Sequence, residues 1–173
     1  MDAAQRRTEI LARIERAHQP VKGGALAKEL SVSRQVIVQD VALLRAKGHP
    51  ILATPEGYIL PAVTSPGCAR VAACIHTGFE RMREELYTVV DAGATVEDIV
   101  VSHPVYGEFR AMLMLRSRRQ VDDFVENPGW QEASPLSVLT EGLHLHTITA
   151  PDERTLDIVF ESLAKRGFLV SGE

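Results

Sequence analysis

The chain has 173 residues, 45% of them hydrophobic and 24% charged, with 19 Lys/Arg against 23 Asp/Glu and a formal net charge of −4. That is the composition of a soluble globular protein with room for one large or two small domains. No apolar run approaches the roughly 18 residues of a membrane span, and no signal-peptide pattern opens the chain. The two cysteines, Cys68 and Cys74, lack metal-site spacing. Reduced thiols and a cytoplasmic location are expected, with no membrane partner. The net charge hides an asymmetry: residues 1–60 carry +3 and residues 61–173 carry −7. A basic segment joined to an acidic one suits phosphate contact by the first.

In chain order, the spacing predicts a first helix from Thr8 to Ala17, with Ile10, Leu11, Ile14 and Ala17 inward and Pro20 stopping it. Leu26 and Leu30 belong to a second helix. Ser33 then stands where an N-cap oxygen is wanted. Ile37, Val41 and Leu44 come next at i, i+4 and i+7, which puts them on one buried stripe. Gln35, Gln39 and Ala42 lie on the far side, with Arg34 and Val38 at the leading edge. A helix that packs one face and offers Arg and Gln near its N-terminus suits a major groove, because Gln can read adenine and Arg can read guanine or grip phosphate. Ser33, Arg34, Gln35, Val38, Gln39 and Arg45 are the predicted DNA contacts. A helical hairpin of some unrelated domain would share the two helices. The stretch from Gly48 to Leu60 favours the DNA module. Gly48 can cap the helix, Ile51 to Ala53 reads as a strand, Thr54-Pro55-Glu56-Gly57 as a type I turn, and Tyr58-Ile59-Leu60 as the returning strand. Three helices and a two-stranded hairpin over residues 1–60 make a winged helix.

Pro61 to Gly67 holds two prolines, a glycine and no charge, as a linker should. The second domain, residues 67–173, alternates strand and helix. Arg70 to Ile75 reads as a strand. A helix carries Phe79, Met82, Leu86 and Val90 and ends before Gly93. A strand from Val96 to Val101 is closed by His103-Pro104, and Phe109 to Arg116 alternates as a strand although Met and Leu could also build a helix. A short helix starts at Ser117, and a polar stretch runs from Asn127 to Pro135. Leu143 to Ile148 is a strand, and a last helix carries Leu156, Val159, Phe160 and Leu163. Phe168 to Val170 is a closing edge strand. The order βαββαβαβ predicts an α+β sandwich, a mostly antiparallel sheet with helices on one face.

The chemistry of this half lies in its histidines, His76, His103, His144 and His146. On a strand, His144 and His146 point to the same face while Leu143, Leu145 and Thr147 face the other way. Paired neutral imidazoles suit a divalent metal such as Zn, Ni or Fe; a solvated sheet face can also carry two histidines. Glu84 lies eight residues past His76, on the helix face of Glu80 and Tyr87 and away from the Phe79/Leu86 stripe, where a carboxylate is ordinarily solvated. No nucleophile motif and no phosphate-cradling loop is present, so the chain is not expected to be an enzyme.

Four segments together are distinctive: Ser33 to Asp40, Ala53 to Tyr58, Ser102-His103-Pro104-Val105-Tyr106-Gly107, and Gly142-Leu143-His144-Leu145-His146-Thr147. They resemble the bacterial transcription repressors that pair a winged helix-turn-helix with a 3H domain, the nicotinate-responsive regulators of NAD biosynthesis, and nearly the whole chain is covered. The resemblance implies a homodimeric repressor of NAD-biosynthesis or nicotinate-uptake genes that binds operator DNA with nicotinic acid as corepressor. It further implies one divalent transition metal per chain (Ni, Zn or Fe), held by three histidines and a glutamate. By position these would be His76, Glu84, His144 and His146, with Glu85 and Glu80, one position and one turn away, as alternative carboxylates. His103 and Tyr106 would then stand at the wall of the nicotinate pocket, unless they only stabilise their turn. Two other readings use the same residues. One is a metal-responsive regulator without an organic ligand. The other is a winged helix fused to a metalloenzyme in which Glu141 is the base.

Overall fold

The computed structural model describes residues 1–61 and 67–170. The chain divides into two compact units, Met1–Thr64 and Ser65–Glu173. The expected linker falls largely on residues 62–66, outside the described residues, as do residues 171–173 of the second domain.

In the first unit, helix α1 spans Ala3–Arg16, α2 Gly23–Glu29 and α3 Arg34–Ala46, followed by strands β1 (Leu52–Thr54) and β2 (Gly57–Ile59). Helix α1 begins five residues before the predicted Thr8. Asp2 and Gln5 form a capping box there: the Asp2 carboxylate accepts from the Gln5 amide at 2.8 Å, and the Asp2 amide donates to Gln5 Oε1 at 3.1 Å. Ser33 caps α3 as predicted, its hydroxyl accepting from the Val36 amide. Ile10, Ile14, Leu26, Ile37, Val41, Leu44 and Ile51 form one buried cluster. Burying side chains of this kind is worth about 1.5–3 kcal/mol each, so the stripe read from spacing holds the three helices together.

The hairpin is antiparallel, with Thr54 opposite Gly57, and Val21 joins it by a bridge to Tyr58. Gly57 has φ of 140°, and a Cβ there would stand 2.4 Å from the Val21 carbonyl oxygen. Only glycine fits that turn.

In the second unit, β3 (Cys68–Ile75), α4 (Phe79–Asp91), β4 (Thr95–His103), β5 (Gly107–Leu115), α5 (Arg118–Val125), β6 (Leu143–Ala150) and α6 (Glu153–Lys165) succeed one another, with two short 3-10 turns between α5 and β6. The four strands are arranged β3-β6-β4-β5, each pair antiparallel. Helices α4 and α6 pack on the sheet face that carries Ala72, Val96, Leu115, Ile148 and Ala150, with α5 against α4. The ambiguous Phe109–Arg116 segment is a strand. The closing segment touches β3 through a Cys74–Leu169 bridge, with Ile75 N donating to Phe168 O and Val170 N to Ala73 O.

One expected stripe shifts. Phe79 is exposed and sits against Trp130, with ring centroids 5.6 Å apart. The buried face of α4 is Met82, Glu85, Leu86, Val89 and Val90, a 3.6-residue period that takes in Glu85 and leaves Glu84 outside.

Candidate metal centre and DNA-recognition face

Strand β6 places His144 and His146 on the buried face, and β3 delivers His76 two residues beyond Cys74. Helix α4 lays Glu85 over them. Glu85 Oε2 lies 2.6 Å from His76 Nε2, 3.3 Å from His144 Nε2 and 3.6 Å from His146 Nε2. Three imidazoles therefore converge on one carboxylate oxygen. Glu85 is 1% exposed and each of the two strand histidines 3%. The rings stack edge to face, with His144 4.9 Å from His76 and 4.8 Å from His146, and Phe168 closes the side of His76 at 5.6 Å.

The other ring nitrogens fix the tautomers. His144 Nδ1 donates to the Gly142 carbonyl at 2.8 Å and His146 Nδ1 to the Asp98 carbonyl at 2.5 Å. A carbonyl can only accept, so each ring in its neutral form would turn an Nε2 lone pair to the cluster, as metal-ligating histidines do. Gly142 also accepts from the His76 amide, and a Cβ there would stand 2.4 Å from the His76 carbonyl oxygen. The Gly before the His-x-His run is thus what lets the two strand ends approach.

Two buried atoms, His76 Nδ1 and Glu85 Oε1, have no hydrogen-bond partner among the described residues. Such atoms cost free energy where they stand, and a cation among the four side chains would satisfy the carboxylate. Three neutral imidazoles and one carboxylate are the donor set a borderline divalent ion prefers. The residues fit a transition metal.

Without a cation the cluster holds itself together by protons. Burial opposes ionisation of Glu85, yet His146 beside it and hydrogen bonds from His144, His146 and His76 hold its carboxyl well below the usual range. Burial likewise opposes the His146 cation, but the Glu85 charge and hydrogen bond and the Asp98 carbonyl outweigh it and raise its pKa. Cys74 also faces the cluster, its thiol pushed up by burial and by the Glu85 charge.

A cleft of about 170 Å³ opens beside His76, lined by Thr77, Gly78, Met82, Ser137, Glu141 and Gly142 among others. Gly78 stands at the N-cap of α4 and supplies no side-chain cap, leaving the helix's first-turn amides free of a side-chain acceptor.

On the first unit, α3 exposes Ser33, Arg34, Gln35, Val38, Gln39 and Ala42 while Ile37, Asp40, Val41 and Leu44 are buried. The polar face is held from behind. Asp40 accepts from Arg6 Nε at 2.6 Å and pairs with Arg7 at 3.4 Å, tying α3 to α1.

Family comparison agrees with both units. The HTH domain family matches residues 6–59 and the 3H domain family residues 69–172. The chain is 44% identical over 170 residues to the transcription repressor NadR of Bacillus subtilis, covering 96% of this chain and 94% of that one. It is 47% identical over 167 residues to the probable transcription repressor NiaR of Thermotoga maritima, with the same coverage. The chain belongs to the HTH–3H transcription repressors. It is a regulator rather than an enzyme, and its HTH domain makes DNA its partner.

Several residues singled out in this HTH–3H repressor's sequence are placed differently from expectation. Glu84 is not with the histidines. It lies on the exposed side of α4, paired with Arg81 at 2.7 Å, because it falls about 100° around the helix from Glu85 on the buried Met82/Leu86/Val89 face. Glu80 is exposed as well, and Glu85 takes the place beside the rings. His103 and Tyr106 do not line the cleft. His103 Nδ1 accepts from the Val105 and Tyr106 amides at 3.2 Å and its ring stacks on Tyr106 and Phe109, which closes the β4–β5 turn. Arg45 turns its Nε to the Ile51 carbonyl at 2.7 Å and so holds the end of α3 to the wing. Glu141 lines the same cleft as His76. Asp98 carries no motif that would mark it in the sequence: buried, it binds the Thr147 amide and hydroxyl and Arg110, and so anchors β6 next to His146.

Among the described residues no helix is long and apolar enough to cross a membrane.

Proposed function

We propose that this chain is a cytoplasmic, homodimeric repressor of NAD-biosynthesis or nicotinate-uptake genes. In this reading operator DNA meets the exposed face of α3, and the 3H domain senses nicotinic acid. The observation that carries the sensor half is the convergence of His76, His144 and His146 on Glu85 with two orphaned atoms beside them. Those four side chains would hold a divalent ion such as Ni, Zn or Fe, which when bound supplies a Lewis-acidic position for a nitrogen or carboxylate donor. The cleft beside His76, about 170 Å³ in volume, is the place where a small acid would reach that ion. The uncapped first turn of α4 favours an anionic group there.

Dimerisation is expected from the size of the DNA module. One winged helix contacts too few bases for useful specificity, so two are expected on a two-fold operator with half-sites about 34 Å apart or a multiple of that. Sedimentation at micromolar concentration and footprinting test this; a monomer protecting one unpaired half-site overturns it.

The ligand arm is tested by titrating operator with protein that is metal-loaded or chelator-stripped, each with and without nicotinate. Tighter binding only with metal and acid together is expected, and operator must in turn raise nicotinate affinity by the same factor. A response to metal alone would make this a metal regulator without an organic ligand. No response to either would leave the 3H domain without the proposed sensing role.

A further inference from the structure

We propose that Cys74 Sγ is a fifth protein donor to the metal held by His76, Glu85, His144 and His146, so that the centre of this chain is a mixed nitrogen–oxygen–sulfur site. The inference rests on reading that cluster as a metal site and adds to it a ligand of a different chemical class.

The strand ladder puts the sulfur there. Cys74 is directly opposite His144 in the β3–β6 pairing, and Ala72 is opposite His146. Side chains opposed across an antiparallel pair share a face with Cβ atoms about 4.5–5.5 Å apart. His76 lies two residues past Cys74, the spacing at which an extended chain returns to the same side. Cys74 is therefore flanked by His144 across the ladder and His76 along the chain, beneath Glu85.

Distances agree. A ligand atom from each of Cys74, Glu85 and His144 lies within 4.8 Å of the others, and all three residues are buried. Donors on one ion at bond lengths of about 2.0–2.3 Å stand up to about 4.6 Å apart, so the set needs little adjustment to close on a cation. In the same group Glu85 Oε1 is sealed from solvent and has no hydrogen-bond partner among the described residues, which leaves a buried acceptor for a cation to meet. A buried cysteine is ordinarily a small hydrophobe, but such a residue has apolar neighbours on its open side. Cys74 belongs to the apolar core cluster, yet its sulfur also lies within ligand distance of the Glu85 carboxylate and the His144 imidazole.

On coordination the S–H bond breaks heterolytically. The electron pair stays on sulfur and is donated to the cation, and the proton leaves to water, with no change of oxidation state. A thiolate shifts preference toward softer ions such as Zn and away from Mg or Mn. Five protein donors leave a six-coordinate ion one free position, where four would leave two, so an effector at this centre would make a single contact with the ion.

Cobalt(II) reports both halves of the argument. The test uses the full chain carrying Cys68→Ala, in which Cys74 is the sole remaining thiol. Visible d–d bands at one equivalent show that the site binds the ion. A near-ultraviolet sulfur-to-cobalt charge-transfer band shows that Cys74 is bound to it. Both are expected, and adding Cys74→Ser should abolish the charge-transfer band while the d–d bands remain. Stoichiometric cobalt without the charge-transfer band overturns the sulfur ligand and leaves the four-residue site intact. Failure to bind cobalt at all overturns both. Should the Cys74→Ser chain not fold, X-ray absorption on nickel-loaded Cys68→Ala decides: one sulfur neighbour at about 2.3 Å is expected, and its absence overturns the proposal.

Discussion

The two units of this repressor present their chemistry in opposite ways. In the first, the residues that would meet DNA lie on the outside of one helix, Ser33, Arg34, Gln35, Val38 and Gln39, and the buried side of the same helix builds the core. In the second, the polar residues that matter are themselves in the core: Glu85 interrupts the apolar stripe of α4, and His144 and His146 share the sheet face with Ala72 and Ile148. A surface site can lose a side chain without cost to the fold, whereas a buried polar cluster must be satisfied to exist at all. Substitutions should therefore separate recognition from folding in the first unit and couple metal to folding in the second.

The largest effect is expected at Glu85. Structural zinc sites are worth about 10–16 kcal/mol over four ligands, so losing one donor costs about 2.5–4 kcal/mol, or roughly a hundredfold to a thousandfold in affinity. Glu85→Gln should lose that much in a competition titration against a chelating dye. Glu84→Gln, one residue away but on the exposed face with Arg81, should bind metal as the natural chain does. Equal losses in the two variants would mean that the buried cluster is not the metal site.

In the first unit the matching pair is Ile37 and its exposed neighbours. Ile37→Ala removes a fully buried side chain and should destabilise the module by about 2–5 kcal/mol in denaturant unfolding. Arg34→Ala and Gln35→Ala should leave that midpoint unchanged and weaken specific operator binding by about 1–3 kcal/mol each. Normal operator affinity in both would show that α3 does not enter the groove.

How far each unit can be read from sequence obeys the same division. The winged helix is local: cap, stripe, capping glycine and hairpin turn lie close together along the chain, and Ser33, Ile37, Val41, Leu44 and the hairpin stand where spacing predicts. The clamp between Asp40 and Arg6 is hidden, because a pair 34 residues apart has no periodic signature. The His-x-His face is legible from strand alternation, and the sandwich from the order of its elements. The resemblance sets the carboxylate at Glu84 by position, although the helical pattern leaves that residue on the solvated side; with Met82, Leu86 and Val89 as the reference, Glu85 is the charged residue on the apolar face. That signal is in the sequence. The approach of Cys74 to His144 is not, since it depends on the β3–β6 register, which only the fold sets.

The smallest and most diagnostic effect is the pH dependence of the second unit. In the metal-free protein His146 has a raised pKa and Glu85 a lowered one. The stability that His146 contributes is complete below the ordinary imidazole value of about 6.5 and is lost as pH rises through its raised pKa. The Glu85 contribution is present above about 4.3 and is lost as pH falls through its lowered pKa. The metal-free unit should therefore be most stable in mild acid and lose stability into the alkaline range. Metal reverses the sign, because a cation takes the place of the His146 proton: apparent affinity should rise with pH, about tenfold per unit for each proton displaced. Thermal unfolding of chelator-treated and metal-loaded protein from about pH 5 to pH 9 should give two curves of opposite slope. Parallel curves would mean that proton and metal do not compete for the same nitrogen, and that the buried histidines answer to each other rather than to an ion.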